Sequence, residues 1–192
     1  MLGNPMNASP RQAAEALGEI SRLRGRTRRS LGMPWFPMVC FGALTMLSAP
    51  LIAAAGTLAL IPLWLVAGTA GMLLTRRYYR RRIRRLGVAG HGRRTWTIAA
   101  AMCVLCLAGG VAAGMAAGPA AGLLAPVVMV AAGYLALGWL QHNPVSSFAV
   151  VPGAAVAVGL ILGGAAPWAV ELAFGAAMVA AGAVLRAVEV RS

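Results

Sequence analysis

Few side chains in this sequence can do chemistry. Cys103 and Cys106 form a C-x-x-C pair, a spacing at which thiolates bind metal or exchange disulfides. A zinc site needs two more ligands, and the neighbouring apolar stretches offer none that is obvious. The thiolate is the form that ligates or attacks, and hydrocarbon surroundings disfavour it, so both cysteines read as small packing residues. Glu171 is the one acid read as lying in or near an apolar stretch, which makes it the candidate for coupling to a proton or cation. A plainer role stands beside that one. Pro167 and Trp168 open a helix there, so Glu171 is expected in its first turn, facing the positive end of the helix dipole. His142 in the run Gln141-His142-Asn143-Pro144, with Ser146 and Ser147, is the nearest approach to a nucleophile and a base. It lacks an orienting acid. His91, between Gly90 and Gly92, stands alone. There is no aspartate, no H-E-x-x-H, no G-x-S-x-G and no P-loop. The expectation is a protein that is not an enzyme and holds neither metal nor cofactor.

The elements that must position these residues are apolar and long. Of 192 residues, 60% are hydrophobic, against roughly 45–50% in a soluble domain. The fold class expected is all-α, an integral membrane bundle of six transmembrane helices with an N-terminal amphipathic interfacial helix. The spans are placed at about 34–54, 58–75, 96–117, 120–140, 145–165 and 168–188. Segments of roughly 18–22 residues cross a ~30 Å hydrocarbon layer at about 1.5 Å per residue. Residues 1–10 read as a disordered N-terminus, 11–33 as a cytoplasmic amphipathic basic helix, and 34–192 as the six-span domain. In the amphipathic helix Ala13, Ala16, Leu17, Ile20 and Leu23 share one face, and Ser9 and Pro10 form its start signal. No cleavable signal peptide is visible.

Charge sets the orientation. All 17 basic residues are arginine and all four acids are glutamate, giving a net charge of +13. Six arginines precede the first span. Nine fall in the loop placed at 76–95: Arg76, Arg77, Arg80, Arg81, Arg82, Arg84, Arg85, Arg93 and Arg94. Arg186 and Arg191 sit in the tail. The opposite turns, near Gly56, Gly118 and Ala165, carry no charge. The positive-inside rule then places both termini in the cytoplasm of a bacterial plasma membrane. The heavy use of Arg, Ala and Gly points to a GC-rich, bacterial coding sequence. Arg76, Arg77, Arg80, Arg81, Arg82, Arg84 and Arg85 are the candidate partner- or lipid-binding residues. Anionic lipids are the first expectation, an acidic protein partner or a homo-oligomer the second, and no nucleic acid is expected. Tyr78 and Tyr79 lie among them, and the second span can continue as a helix through Arg85.

Small residues set the expected packing. Gly110, Gly114 and Gly118 form consecutive G-x-x-x-G units, and Gly159 and Gly163 form another, which lets helices approach closely. Pro50, Pro62, Pro126 and Pro152 fall inside spans without polar company, and read as shape. The stretch Glu15-Ala16-Leu17-Gly18-Glu19-Ile20, the basic segment to Arg29 and the Pro34-Trp35 start of the first span resemble small actinobacterial polytopic membrane proteins of unknown function. That resemblance covers about 30 residues and implies work alongside a cytosolic regulator or a transport complex; it implies no catalytic residue. The function expected is a non-enzymatic accessory or regulatory subunit that engages a partner through its arginine-rich surfaces. The alternative is a small transporter or channel with Glu171 as the coupling residue.

Overall fold

The computed structural model describes residues 14–19, 34–86, 93–140 and 148–191. The expected N-terminus 1–10 lies outside the described residues. So does most of the 11–33 helix, of which residues 14–19 are helical and exposed. The described chain is helical from end to end, with no strand among the described residues. Six helices follow from Trp35: α1 (Trp35–Ala55), α2 (Thr57–Arg85), α3 (Arg93–Ala117), α4 (Pro119–Leu140), α5 (Val151–Leu162) and α6 (Pro167–Arg191). Five of them, all but α5, are long and apolar enough to cross a membrane.

α5 departs from the expected 145–165 span. It is 12 residues long, about 18 Å of helix, and cannot cross a ~30 Å layer alone. Positions 145–147 lie outside the described residues. Pro152 sits in the first turn of α5, where a missing N–H costs nothing, rather than inside a span. At the other end Gly164 takes a positive φ of 72° and stops the helix. Apolar character alone does not distinguish helix from the turns that flank it.

α2 departs in the other direction. The helix runs past 75 through Leu86, in line with the continuation through Arg85 read from the sequence, so less of 76–95 is loop than placed there, and helix resumes at Arg93. Arginine is a good helix former, and no Gly or Pro interrupts the run from Met72 to Leu86. Further up, Pro62 lacks the N–H that a regular helix needs, and the next turn, Trp64–Gly68, widens into a π-helix.

The centre of the fold is the antiparallel pair α1 and α6. Gly175, Gly42 and Gly182 let the two backbones meet. A Cβ on Gly175 would lie 2.6 Å from the Gly42 carbonyl oxygen, and one on Gly182 would lie 2.9 Å from that of Trp35. α3 and α4 form a hairpin in which Gly110 and Gly114 face Gly122 and Pro126. α5 lies against α6 through Gly153 and Ala177. Met38 of α1, Val127 and Tyr134 of α4, Ala154 and Ala157 of α5, and Val170, Phe174, Met178 and Leu185 of α6 form one buried cluster with Val150.

The glycines singled out from the sequence fall in different surroundings. Gly110 and Gly114 pack within the molecule. Gly118 serves the α3–α4 turn instead, with φ +90° and nothing near its missing Cβ. A Cβ on Gly159 would meet nothing, and one on Gly163 would meet only its own helix. The closest seam uses Gly42, Gly175 and Gly182, whose seven-residue spacing on α6 is two turns and escapes a search for G-x-x-x-G.

Burial runs opposite to that of a water-soluble protein. Leu58, Leu65, Val66, Leu73 and Leu74 of α2 and Val104, Leu105 and Met115 of α3 are all more than half exposed. An apolar surface of this extent is compatible with a membrane surround.

Candidate functional site

Two places concentrate polar side chains. The first is the arginine-bearing end of α2. Arg76, Arg80 and Arg84 form one row and Arg77, Arg81 and Arg85 another, each at the four-residue spacing that stacks side chains on a helix. All six are exposed, and together they make a single face about 14 Å long. Arg82 is about 150° around the helix from the middle of that face and does not belong to it. Its guanidinium pairs with Glu189 of α6, whose side chain keeps only 6% of its exposure. Arg186 comes within 3.8 Å of the other Glu189 oxygen and lies 4.6 Å above the Trp35 ring. The expected set of seven therefore divides into six outward arginines and one structural one.

Aromatic rings hold this end together. Phe36 stacks on Tyr78 with centroids 4.2 Å apart, and Trp35 meets the same ring edge-on at 5.6 Å. Tyr79 reaches Trp96 at the start of the apolar part of α3. Arg82 donates a 3.4 Å hydrogen bond to the Tyr78 hydroxyl. The rings tie α1, α2 and α3 to one another, and the Arg82–Glu189 pair adds α6. Such ring pairs contribute about 0.5–1.5 kcal/mol each beyond their burial.

The second place lies near the glycine-turn end, where Gly56, Gly118 and Gly164 all adopt positive φ. Glu171 is not in the first turn of α6, as expected, but one turn further in, beyond the strongest part of the helix dipole. Its contact is with another helix. Ser48 of α1, with no exposed surface, places its Oγ 3.2 Å from Glu171 Oε2 and 2.6 Å from the Thr45 carbonyl oxygen. Thr45 donates in turn to the Phe41 carbonyl at 2.8 Å. Thr45, Ser48 and Thr75 are the buried polar residues of the described core.

The remaining candidates do not assemble. Cys103 is exposed and Cys106 half-buried, both as free thiols on α3. Among the described residues no three His, Cys, Asp or Glu side chains come close enough to hold a metal ion. His91, His142, Asn143, Ser146 and Ser147 lie outside the described residues. A cavity of about 250 Å³ opens between α4, α5 and α6, lined by residues such as Leu123, Ile161 and Val170. Its lining holds no polar side chain, so it offers nothing to orient a polar ligand.

Sequence reasoning missed Glu189. The expectation that Glu171 is the only acid in or near a span fails, because Glu189 closes α6 inside the fold. Its signal was present: Glu189 stands three residues after Arg186, on a helix whose other end must return to the arginine side.

No protein-family model matches the chain, no curated protein matches it, and no solved structure matches it.

Proposed function

We propose that this chain is a non-enzymatic, multi-pass protein of a bacterial plasma membrane, with both termini in the cytoplasm. It acts as an accessory or regulatory subunit and engages a cytosolic or membrane partner through its arginine-rich surface. The observation that carries the reading is the face of six exposed arginines on α2. Six guanidinium groups on one side of a continuous helix, directly below its apolar part, form a rigid cationic strip. Phosphate and carboxylate groups match that strip through paired hydrogen bonds. Anionic lipid head groups and an acidic partner segment are its two natural counterparts. The reading counts α5, with the turns on either side of it, as one of six crossings. That count returns the chain from the end of α4 to the start of α6.

The test is purification from native membranes in mild detergent, followed by mass spectrometry of what co-elutes. Replacing Arg77 and Arg81 together by Gln is expected to release a stoichiometric partner while the protein still folds. Unchanged retention in Arg77→Gln/Arg81→Gln and in Arg80→Gln/Arg84→Gln would remove the basis of the reading.

The Ser48–Glu171 contact favours a second reading, a small transporter or channel. Transport needs a polar pathway, and the polar lining available is short: Thr45, Ser48 and Glu171 on one seam. Flux in reconstituted vesicles that Glu171→Gln abolishes would decide for it. Vesicles without flux of any candidate ion would decide against it.

A further inference from the structure

The α1–α6 seam is largely apolar and glycine-lined, and Ser48 meets Glu171 across it. A hydroxyl group has one hydrogen to give. Ser48 Oγ lies 2.6 Å from the Thr45 carbonyl oxygen, which can only accept, and 3.2 Å from Glu171 Oε2. Ser48 Oγ has donor geometry towards both oxygens, and one hydrogen cannot serve both; it is assigned to the shorter contact, which is local to a single turn of α1. Ser48 Oγ then turns lone pairs towards Glu171. Two oxygens at hydrogen-bonding distance with no hydrogen between them would repel, so the second contact is complete only when the carboxyl group supplies its own.

We propose that Ser48 and Glu171 form a proton-binding site in the membrane, in which Glu171 holds a proton and donates it to Ser48 Oγ across the α1–α6 seam. The ligand is the proton itself. Binding converts carboxylate and hydronium into carboxylic acid and water, and no other bond changes. The site stands independently of the partner reading, since it uses none of the arginines.

The surroundings fit. Packed beside Glu171, α1 brings Thr45 and Ser48. The described part of α5 carries no titratable side chain. On α4 the titratable group is Tyr134, eleven residues beyond the Leu123 level, or about 16 Å along the axis. On α6 itself Arg186, Glu189 and Arg191 begin fifteen residues away, about 22 Å. Arg82 and the tyrosines of α2 stand at that same far end. No cation therefore faces Glu171 from any of these helices among the described residues. Glu171 lies about 6 Å inside the start of α6 and is only half-buried, so a proton has a short path to it.

The experiment uses the full chain in vesicles of uncharged lipid at neutral pH, treated with dicyclohexylcarbodiimide. That reagent adds the O–H of a carboxylic acid across its N=C bond and remains on the carboxyl carbon as a stable N-acylurea, with no leaving group. Peptide mass mapping is expected to find the adduct on Glu171 and not on Glu15, Glu19 or Glu189. An unmodified Glu171 would overturn the proposal, provided that the same protein in acidified detergent takes the label there. A label spread evenly over all four glutamates would overturn it too. A second measurement does not depend on a variant that folds poorly. The infrared spectrum of the wild type should contain a carboxylic-acid C=O band that moves on exchange into D2O. Ser48→Ala should shift that band to higher wavenumber, because the acceptor is gone, and Glu171→Gln should abolish it. Absence of the band from the wild type would sink the idea.

Discussion

Arg82 and Arg81 are neighbours in sequence and opposites in role. One turns inward to Glu189, the other outward with five more arginines. Breaking a fully buried ion pair from one side costs roughly 3–5 kcal/mol, because the partner keeps a poorly compensated charge; Arg186, 3.8 Å from Glu189, softens the loss here. Arg82 retains 18% of its side-chain exposure, so about 2 kcal/mol is expected for Arg82→Gln, seen as a lowered melting temperature in detergent. Arg81→Gln should leave melting unchanged. The double variant Arg82→Gln/Glu189→Gln should lose less than the sum of its two singles, since neither leaves an orphan charge. Additive losses would mean that the pair does not act as a unit. The sequence shows nine arginines between Arg76 and Arg94 and no reason to single out Arg82. Only the angle of 100° per residue, combined with the position of α6, separates it from the rest.

At the scale of helices, the α1–α6 seam bears the tightest contact, and it is made by absence of side chains. Gly175→Ala would place its methyl group 2.6 Å from the Gly42 carbonyl oxygen and 2.7 Å from the Met46 backbone nitrogen. Backbone on both sides cannot yield as a flexible side chain would, so overpacking should cost about 1–3 kcal/mol. Gly159→Ala, with open space around it, should be neutral or slightly stabilising, because alanine favours helix. Thermal unfolding of the two variants side by side checks both signs. Helix existence was legible in the sequence because apolar runs of this length have one solution in a bilayer. Partner choice among helices was not. In an alphabet dominated by Ala, Gly, Leu and Val, the stripe Gly110–Gly114 that packs and the stripe Gly159–Gly163 that does not look alike. The contact between Ser48 and Glu171 joins residues 123 positions apart, and no local pattern announces it.

For the whole molecule, polar chemistry gathers at the arginine-bearing end, and the opposite end is closed by three short glycine turns. If those turns face outward, a cysteine placed at Ala166 in a background without Cys40, Cys103 and Cys106 should react with a membrane-impermeant maleimide on intact cells. A cysteine placed at Arg84 should react only after the cells are opened. The reverse pattern would invert the proposed orientation, and equal reaction at both would refute a fixed one. This asymmetry was readable from the sequence, since it needs only the positions of charges relative to apolar runs. The extent of helix was readable in part: continuation through Arg85 was open from the sequence, whereas the shortness of α5 relative to its apolar stretch was not.

The outward apolar faces of α2 and α3 have one more consequence, for how this chain can change over generations. A leucine that meets only lipid tails can become valine, isoleucine or methionine with little effect, since every exchange presents a similar surface to the same solvent. Leu58, Leu65, Val66, Leu73, Val104 and Leu105 are exposed and, in the proposed membrane setting, of this kind. Gly42, Gly175 and Gly182 have no such freedom. Among sequences descended from a common ancestor with this one, variation should therefore be written almost wholly on the outer helices. The two central helices should stay nearly fixed, although both groups look equally monotonous on the page.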